Sequence, residues 1–131
     1  MKKEVHVHIY IDDEAEPRTS SSGYSHLRPD EHYIEVYRDD AAPGHPLDSI
    51  LAHELGHVVQ RVFNTEANRG DIRNHMPDGH FRALTAVFGV PPEVRNTMVR
   101  AEKEAWMYAA KMIPIDHELE AKDVKTYEDL T

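Results

Sequence analysis

Leu47-Asp48-Ser49-Ile50-Leu51-Ala52-His53-Glu54-Leu55-Gly56-His57-Val58-Val59-Gln60 is the run on which the reading of this chain turns. Its apolar residues recur at helical spacing. At about 100° per residue, His53 and His57 fall within roughly 40° of one another, so both imidazoles can face one cation. Leu47, Leu51, Leu55, Val58, Val59 and Val62 gather on the opposite side and leave Ile50, His53, His57 and Gln60 along a second face. The expectation is a helix with one face for the core and one for chemistry. An H-E-x-x-H helix holds Zn²⁺ through its two histidines, and the intervening Glu54 reaches the water on the metal as general base. Gly56 costs the helix about 1 kcal/mol relative to alanine, which predicts close packing at that point. The chain carries ten histidines, yet about 0.07 accidental matches to the pattern are expected in a chain of this composition, so a metal site is favoured over an ordinary helix with two histidines.

Composition narrows the alternatives. A chain of 131 residues reads as a single domain, 1–131, able to bury about two-thirds of the surface its unfolded form exposes without a metal staple. A formal net charge of −9 argues against nucleic-acid binding through phosphate contacts. There is no cysteine, so any metal must be held by histidine and carboxylate. No apolar run approaches 18 residues, and Met1-Lys2-Lys3-Glu4 leads into an alternating pattern instead of a signal-peptide core. The expectation is a soluble, cytoplasmic protein with no membrane partner.

Upstream of the histidine helix, Val5, Val7, Ile9 and Ile11 alternate with His6, His8 and Tyr10, which predicts a half-buried strand with the apolar set inward. His6 and His8 share the other face, where a polar outer surface is the ordinary reading of such a pair and a second metal site the rarer one. Asp12 to Asp30 is rich in turn-formers and reads as a long loop. His32 to Arg38 alternates again, with Ile34 and Val36 inward and Tyr33, Glu35 and Tyr37 outward, and should pair with the first strand. Asp39 to Pro46 ends that strand, and Asp48 suits the first turn of the helix that follows. Downstream, Asn64 to Gly79 reads as a second irregular connection at the rim of a cleft. His80 to Phe88 is a short helix stopped by Gly89. Pro91-Pro92-Glu93 starts a long helix to about Ile113, packed through Met98, Ala101, Ala105, Tyr108, Ala109 and Met112. Beyond Pro114 the acidic tail is expected to fray, or to fold back over the metal through Asp116, His117 and Glu118.

A catalytic zinc takes three protein ligands and keeps one position open. Candidates for the third are Glu66, Asp71, His75, Asp78, His80, Glu102, Glu104 and His117. Glu66 is rotated away if the first helix continues. His75 or His80 would complete a three-histidine site. On the last helix Glu102 lies about 60° from the centre of the apolar stripe and points inward, whereas Glu104 lies about 100° away, placed for surface pairing with Arg100. The donor that would stabilise an oxyanion is open among His75, His80, His117 and Tyr108.

The segment Ala101-Glu102-Lys103-Glu104-Ala105-Trp106-Met107-Tyr108-Ala109-Ala110-Lys111-Met112-Ile113-Pro114 resembles the glutamate helix of ImmA/IrrE-type metallopeptidases. That family pairs a His-Glu-Leu-Gly-His helix with a later Glu-x-Glu-Ala-Asn stretch, an aromatic, alanines and a Met-Pro ending, and belongs with the gluzincins and the very small minigluzincins. The resemblance covers the two helices, roughly half the chain. It implies that His53, His57 and Glu102 are the metal ligands and Glu54 the base. It also implies an α+β fold: a minimal zincin-like domain, with a small antiparallel sheet packed on the H-E-x-x-H helix and a glutamate helix. Trp106 stands where the family has Asn or Asp, and an indole only donates, so the acceptor behind the ligand histidines is unassigned. The interval from His57 to Glu102 is also longer than the family's. The expected function is zinc-dependent hydrolysis of peptide bonds in a peptide or protein substrate, with Glu54 taking the proton from water and passing it to the leaving amine. The competing expectation is a zincin-like regulatory or binding module with bound zinc and little turnover.

Overall fold

The computed structural model describes residues 4–12, 22–28, 30–40, 47–76 and 80–130. It is an α+β arrangement of one three-stranded sheet and, among the described residues, five α-helices. The strands are β1 (His6–Asp12), β2 (Gly23–Arg28) and β3 (Glu31–Tyr37), in the order β1-β3-β2. β3 is central. β2 runs antiparallel to it, with Gly23 opposite Glu35 and a register shift between His26 and Arg28. β1 runs parallel to it, from His6 opposite Glu31 to Asp12 opposite Tyr37.

The sheet is therefore mixed, not the antiparallel pair expected, and the reason is a strand the alternation did not reveal. Gly-Tyr-Ser-His-Leu-Arg has no period-two apolar pattern, so Asp12 to Asp30 reads as loop; in fact its second half forms a hairpin with β3 and takes one edge. The other edge is left to β1, which runs parallel to β3. A parallel pair needs a crossover longer than a hairpin turn; residues 13–21 of that interval lie outside the described residues.

Ile34 and Val36 are fully buried on β3, as expected, and pack with Ile50 and Val58. Tyr37, expected outward, is buried as well. On β1 only Val7 joins this core, while Val5, Ile9 and Ile11 are exposed. The cause is position. The histidine helix α1 (Leu47–Phe63) lies mainly against β3 and β2, and of the β1 apolar set only Val7 reaches the core it builds.

α1 is packed on two sides. Leu47, Leu51 and Leu55 are half-buried toward the sheet, whereas Ala52, His53, Glu54, Gly56 and Gln60 are buried. The expected core face does pack on the sheet, but the histidine face is covered as well, because it faces the long helix α4 (Pro92–Met112). α4 begins with Pro92 in its first turn and presents Met98, Ala101, Ala105 and Ala109 to the interior. Tyr108 is only half-buried and Met112 is exposed, so the packed stripe is narrower than expected. Narrowness has a use here. A Cβ on Gly56 would stand 2.9 Å from the carbonyl carbon of Ala105 and 3.0 Å from its Cα, so the two helices touch backbone to backbone at this point.

The connection from α1 to α4 is more regular than its composition suggests. α2 (Glu66–Gly70) is capped by Thr65, whose hydroxyl accepts from the Asn68 amide at 3.2 Å. A 3-10 turn, Ile72–His75, is capped by Asp71, which accepts from the Arg73 amide at 3.1 Å. These are short side-chain-capped turns that leave no hydrophobic period to read. α3 (His80–Phe88) ends as expected at Gly89, whose φ of 74° suits glycine.

The tail does not fray. α5 (His117–Glu128) is capped by Asp116, whose carboxylate accepts from the Glu118 amide at 2.9 Å, and the Asp116 amide donates to Ser49 Oγ at 2.9 Å. Leu119 and Val124 seat it in a second core with Ala52, Trp106 and Ala109. Its inward residues include Asp123 and Tyr127, and that polarity hid the helix from a hydropathy reading. Among the described residues no helix is long and apolar enough to cross a membrane.

Candidate metal centre

The Gly56–Ala105 contact sets the geometry of the site. His53 and His57 flank Gly56 on α1, and Glu102 lies one turn before Ala105 on α4. Closing the two backbones brings three donor atoms together: His53 Nε2 to His57 Nε2 is 3.2 Å, His53 Nε2 to Glu102 Oε2 is 2.9 Å, and His57 Nε2 to Glu102 Oε2 is 3.3 Å. Tetrahedral zinc with ligands at about 2.0–2.1 Å requires ligand-to-ligand edges of about 3.3 Å. Glu102 Oε2 is buried, and the angles to its neighbours make no hydrogen bond. A buried carboxylate oxygen so placed fits a shared cation, and the three residues form a group able to hold a metal ion.

The remaining polar atoms of His57 and Glu102 have fixed partners, whereas His53 Nδ1 is buried with no hydrogen-bond partner among the described residues. The amide nitrogen of Gln60 donates to the Ala101 carbonyl at 2.8 Å and to Glu104 at 3.0 Å. Its oxygen is therefore the atom facing His57 Nδ1 at 2.8 Å, so Nδ1 carries a hydrogen and Nε2 is the nitrogen turned to the site, with its lone pair free once its proton leaves. Gln60 supplies the acceptor for His57 that the sequence left unassigned. Thr65 also donates to Glu104. Glu104 thus serves inside the structure as the anchor of Gln60, not in the surface pair with Arg100 expected of it. Glu102 Oε1 accepts from Arg73 Nη1 at 3.1 Å, while Asp71 holds the other edge of the guanidinium at 2.6 to 3.1 Å. Trp106 takes no acceptor role; it stacks on the His53 ring at 4.4 Å and donates to Asp123 Oδ2 at 2.8 Å. Tyr24 of β2 lies parallel to His57 at 6.2 Å, and its hydroxyl is 2.7 Å from Nδ1 of the buried His32.

Charge follows from this packing. Burial opposes ionisation of Glu102, but the imidazoles of His57 and His53 outweigh it and hold the carboxyl well below the usual range. Burial likewise opposes a charge on His57, yet the Glu102 carboxylate, aided by Glu54, pushes its pKa up to about 9. Glu54 Oε1 stands 3.8 Å from His53 Nε2. Its pKa is raised, first by burial and further by Glu102, against the pull of the two imidazoles. Asp123 is pushed up to about 6, by burial and by Glu102. All these groups border a cavity of about 490 Å³ walled by β2 on one side and by Lys122, Asp123, Thr126 and Tyr127 of α5 on another.

The other candidates are not part of the group. Asp71 is committed to Arg73. Glu66 and His80 are exposed, and the His117 side chain is 82% exposed. Tyr108 lies under Lys111, away from the cavity lining. Asp78 and the side chain of His75 lie outside the described residues. On β1, His6 faces Glu4 at 3.6 Å and His8 stacks on Tyr33 at 4.8 Å; the described residues form no metal-binding group there. Sequence reasoning missed Arg73, Asp123, Tyr127 and Tyr24. Only Gln60 had a readable signal, one helical turn beyond His57. Comparison with protein-family models, with curated proteins and with solved structures gives no match to this chain.

Proposed function

We propose that the chain is a zinc-dependent metallopeptidase of gluzincin plan, resembling the ImmA/IrrE family and the minigluzincins in its pair of ligand-bearing helices. The observation that carries this reading is the triangle of His53, His57 and Glu102, with a buried carboxylate that is not a ligand, Glu54, beside it on an open cavity. A purely structural zinc has no need of such a base. A zinc ion in this position supplies Lewis acidity, making water nucleophilic near neutral pH and polarising a carbonyl.

The rest is done by the chain. Gln60 and Arg73 fix the orientation of His57 and Glu102. Glu54, with its raised pKa, takes a proton from the attacking water and returns it to the nitrogen of the departing amine. A substrate would enter through the cavity that Tyr24 and Arg73 help to line. The test is Glu54→Gln, which should retain one zinc per chain and the fold yet lose hydrolysis of a diverse peptide library by at least about a hundredfold. One observation favours a second reading, a metal-holding binding module with little turnover: α5 brings Asp123 to 3.7 Å from His53 Nε2, beside the open side of the site. Zinc-loaded wild-type protein that cuts no member of the library would decide for that module.

A further inference from the structure

Three carboxylates lie within 4 Å of a single atom, His53 Nε2: Glu102 at 2.9 Å, Asp123 at 3.7 Å and Glu54 at 3.8 Å. The nearby guanidinium of Arg73 is shared between Asp71 at 2.6 Å and Glu102 Oε1 at 3.1 Å, one fixed cation for four carboxylates. Such a concentration of negative charge around a buried ring calls for a cation, in agreement with the buried Glu102 oxygen that has no hydrogen bond. Glu102 fits as ligand and Glu54 as base. Asp123 has no task in that scheme.

Its position is specific. Asp123 comes from α5, an element that contributes none of the three ligands. Its Oδ2 is held by the indole of Trp106, and the same indole is stacked on the His53 ring. Trp106 therefore ties the carboxylate to the ligand face. The 3.7 Å separation from His53 Nε2 exceeds the about 3.3 Å edge of a tetrahedral zinc site by less than half an ångström. Yet Asp123 is not part of the tight group made by the other three, as befits an occupant that leaves and returns. α5 is anchored on both sides of Asp123, by the Asp116 amide on Ser49 and Leu119 before it and by Val124 in the core after it, so release asks only for a turn of the Asp123 side chain and leaves the helix seated.

We propose that Asp123 is a displaceable fourth ligand of the metal, so that α5 acts as a latch that closes the coordination position until an incoming ligand takes it. This rests on the metal centre proposed above and not on peptidase activity. Ligand exchange is the whole of the step: the Asp123 carboxylate leaves the cation as a neutral or anionic oxygen donor arrives.

Cobalt(II) in place of zinc makes the test optical. Wild-type protein, Asp123→Ala and Asp123→Asn are loaded with Co²⁺, their visible spectra compared, and each is titrated with azide; Asn keeps an acceptor for Trp106 but removes the anionic donor. The expected result is an altered cobalt spectrum in both variants, azide binding at least about tenfold tighter than in wild type, and metal affinity lowered by about tenfold in a chelator competition. If Asp123 merely positions Trp106, Asn will behave as wild type in the azide titration, and the latch is refuted. It is refuted equally if both variants match wild type in spectrum and azide affinity. Failure of the wild type to bind cobalt or zinc stoichiometrically, with His53→Ala no different, would instead remove the metal centre itself.

Discussion

Alanine at position 56 would place a methyl group against the backbone of α4, 2.9 Å from the carbonyl carbon of Ala105 and 3.0 Å from its Cα. Those atoms cannot rotate away as a side-chain tip would. Restoring ordinary contact requires the helices to separate by roughly 0.5–1 Å, and overpacking of this kind costs about 1–3 kcal/mol. Alanine's better helix propensity returns about 1 kcal/mol, so the net expectation for Gly56→Ala is a loss of about 0–2 kcal/mol. The same displacement stretches the edges from His53 and His57 to Glu102, now 2.9 and 3.3 Å. A site that tolerates misplacement of only about 0.5 Å should lose metal affinity by about a hundredfold or more. Urea unfolding of the metal-free protein measures the first effect and zinc competition with a chromophoric chelator the second. Gly70→Ala is the control, because a Cβ there meets nothing within 4 Å; it should be neutral or slightly stabilising. A Gly56→Ala protein that gains about 1 kcal/mol and holds zinc as tightly as wild type would refute the backbone contact and the geometry derived from it.

Glu102→Gln should weaken zinc binding by orders of magnitude, since it removes the charged oxygen ligand; Glu104→Gln should cost only about tenfold, because it loosens Gln60 and through it the His57 ring. Equal effects in an isothermal titration would show that Glu104 is not an intermediary. In the metal-free protein the His57 pKa is raised from 6.5 to about 9, so protonated His57 stabilises the fold fully below about pH 6.5 and that contribution fades as pH rises through about 9. Metal must displace this proton. Zinc affinity should therefore climb by up to about tenfold per unit from pH 6.5 to 9, with close to one proton released per zinc at pH 7.5, measurable by calorimetry in buffers of different ionisation enthalpy. A flat affinity over that range would count against the His57–Glu102 pairing.

The helix bearing His53, Glu54 and His57, the proline start of α4 and the glycine stop of α3 are legible because each is a local signal: a 3.6-residue period, a fixed φ, a left-handed cap. Glu102 is legible as an inward-facing residue for the same reason. The burial of the histidine face is not, since periodicity says which residues share a side but not which neighbour covers it. Strand β2 is invisible because its residues do not alternate, and with it goes the parallel pairing of β1. Asp123, Tyr127 and Arg73 line the site from segments whose polarity reads as solvent exposure; their partners lie far away in the chain, where no spacing rule reaches. Trp106 stands out in the sequence as a departure, but only its stacking and its bond to Asp123 reveal what it does.

The spacing of the donors along the chain also bears on how the molecule is made. His53 and His57 meet as soon as one helix forms, whereas Glu102 arrives only when α4 has docked, with α2, the 3-10 turn and α3 all intervening. Closing a loop of about 45 residues costs entropy that grows only slowly with its length, about 0.6 kcal/mol per doubling. The step is thus governed by the fit of Gly56 against Ala105 more than by the length between them. Metal uptake during refolding should therefore be a clock for that docking: a fragment ending before α4 offers a cation the two imidazoles without the Glu102 carboxylate, and tight capture should appear only with this non-local event of folding.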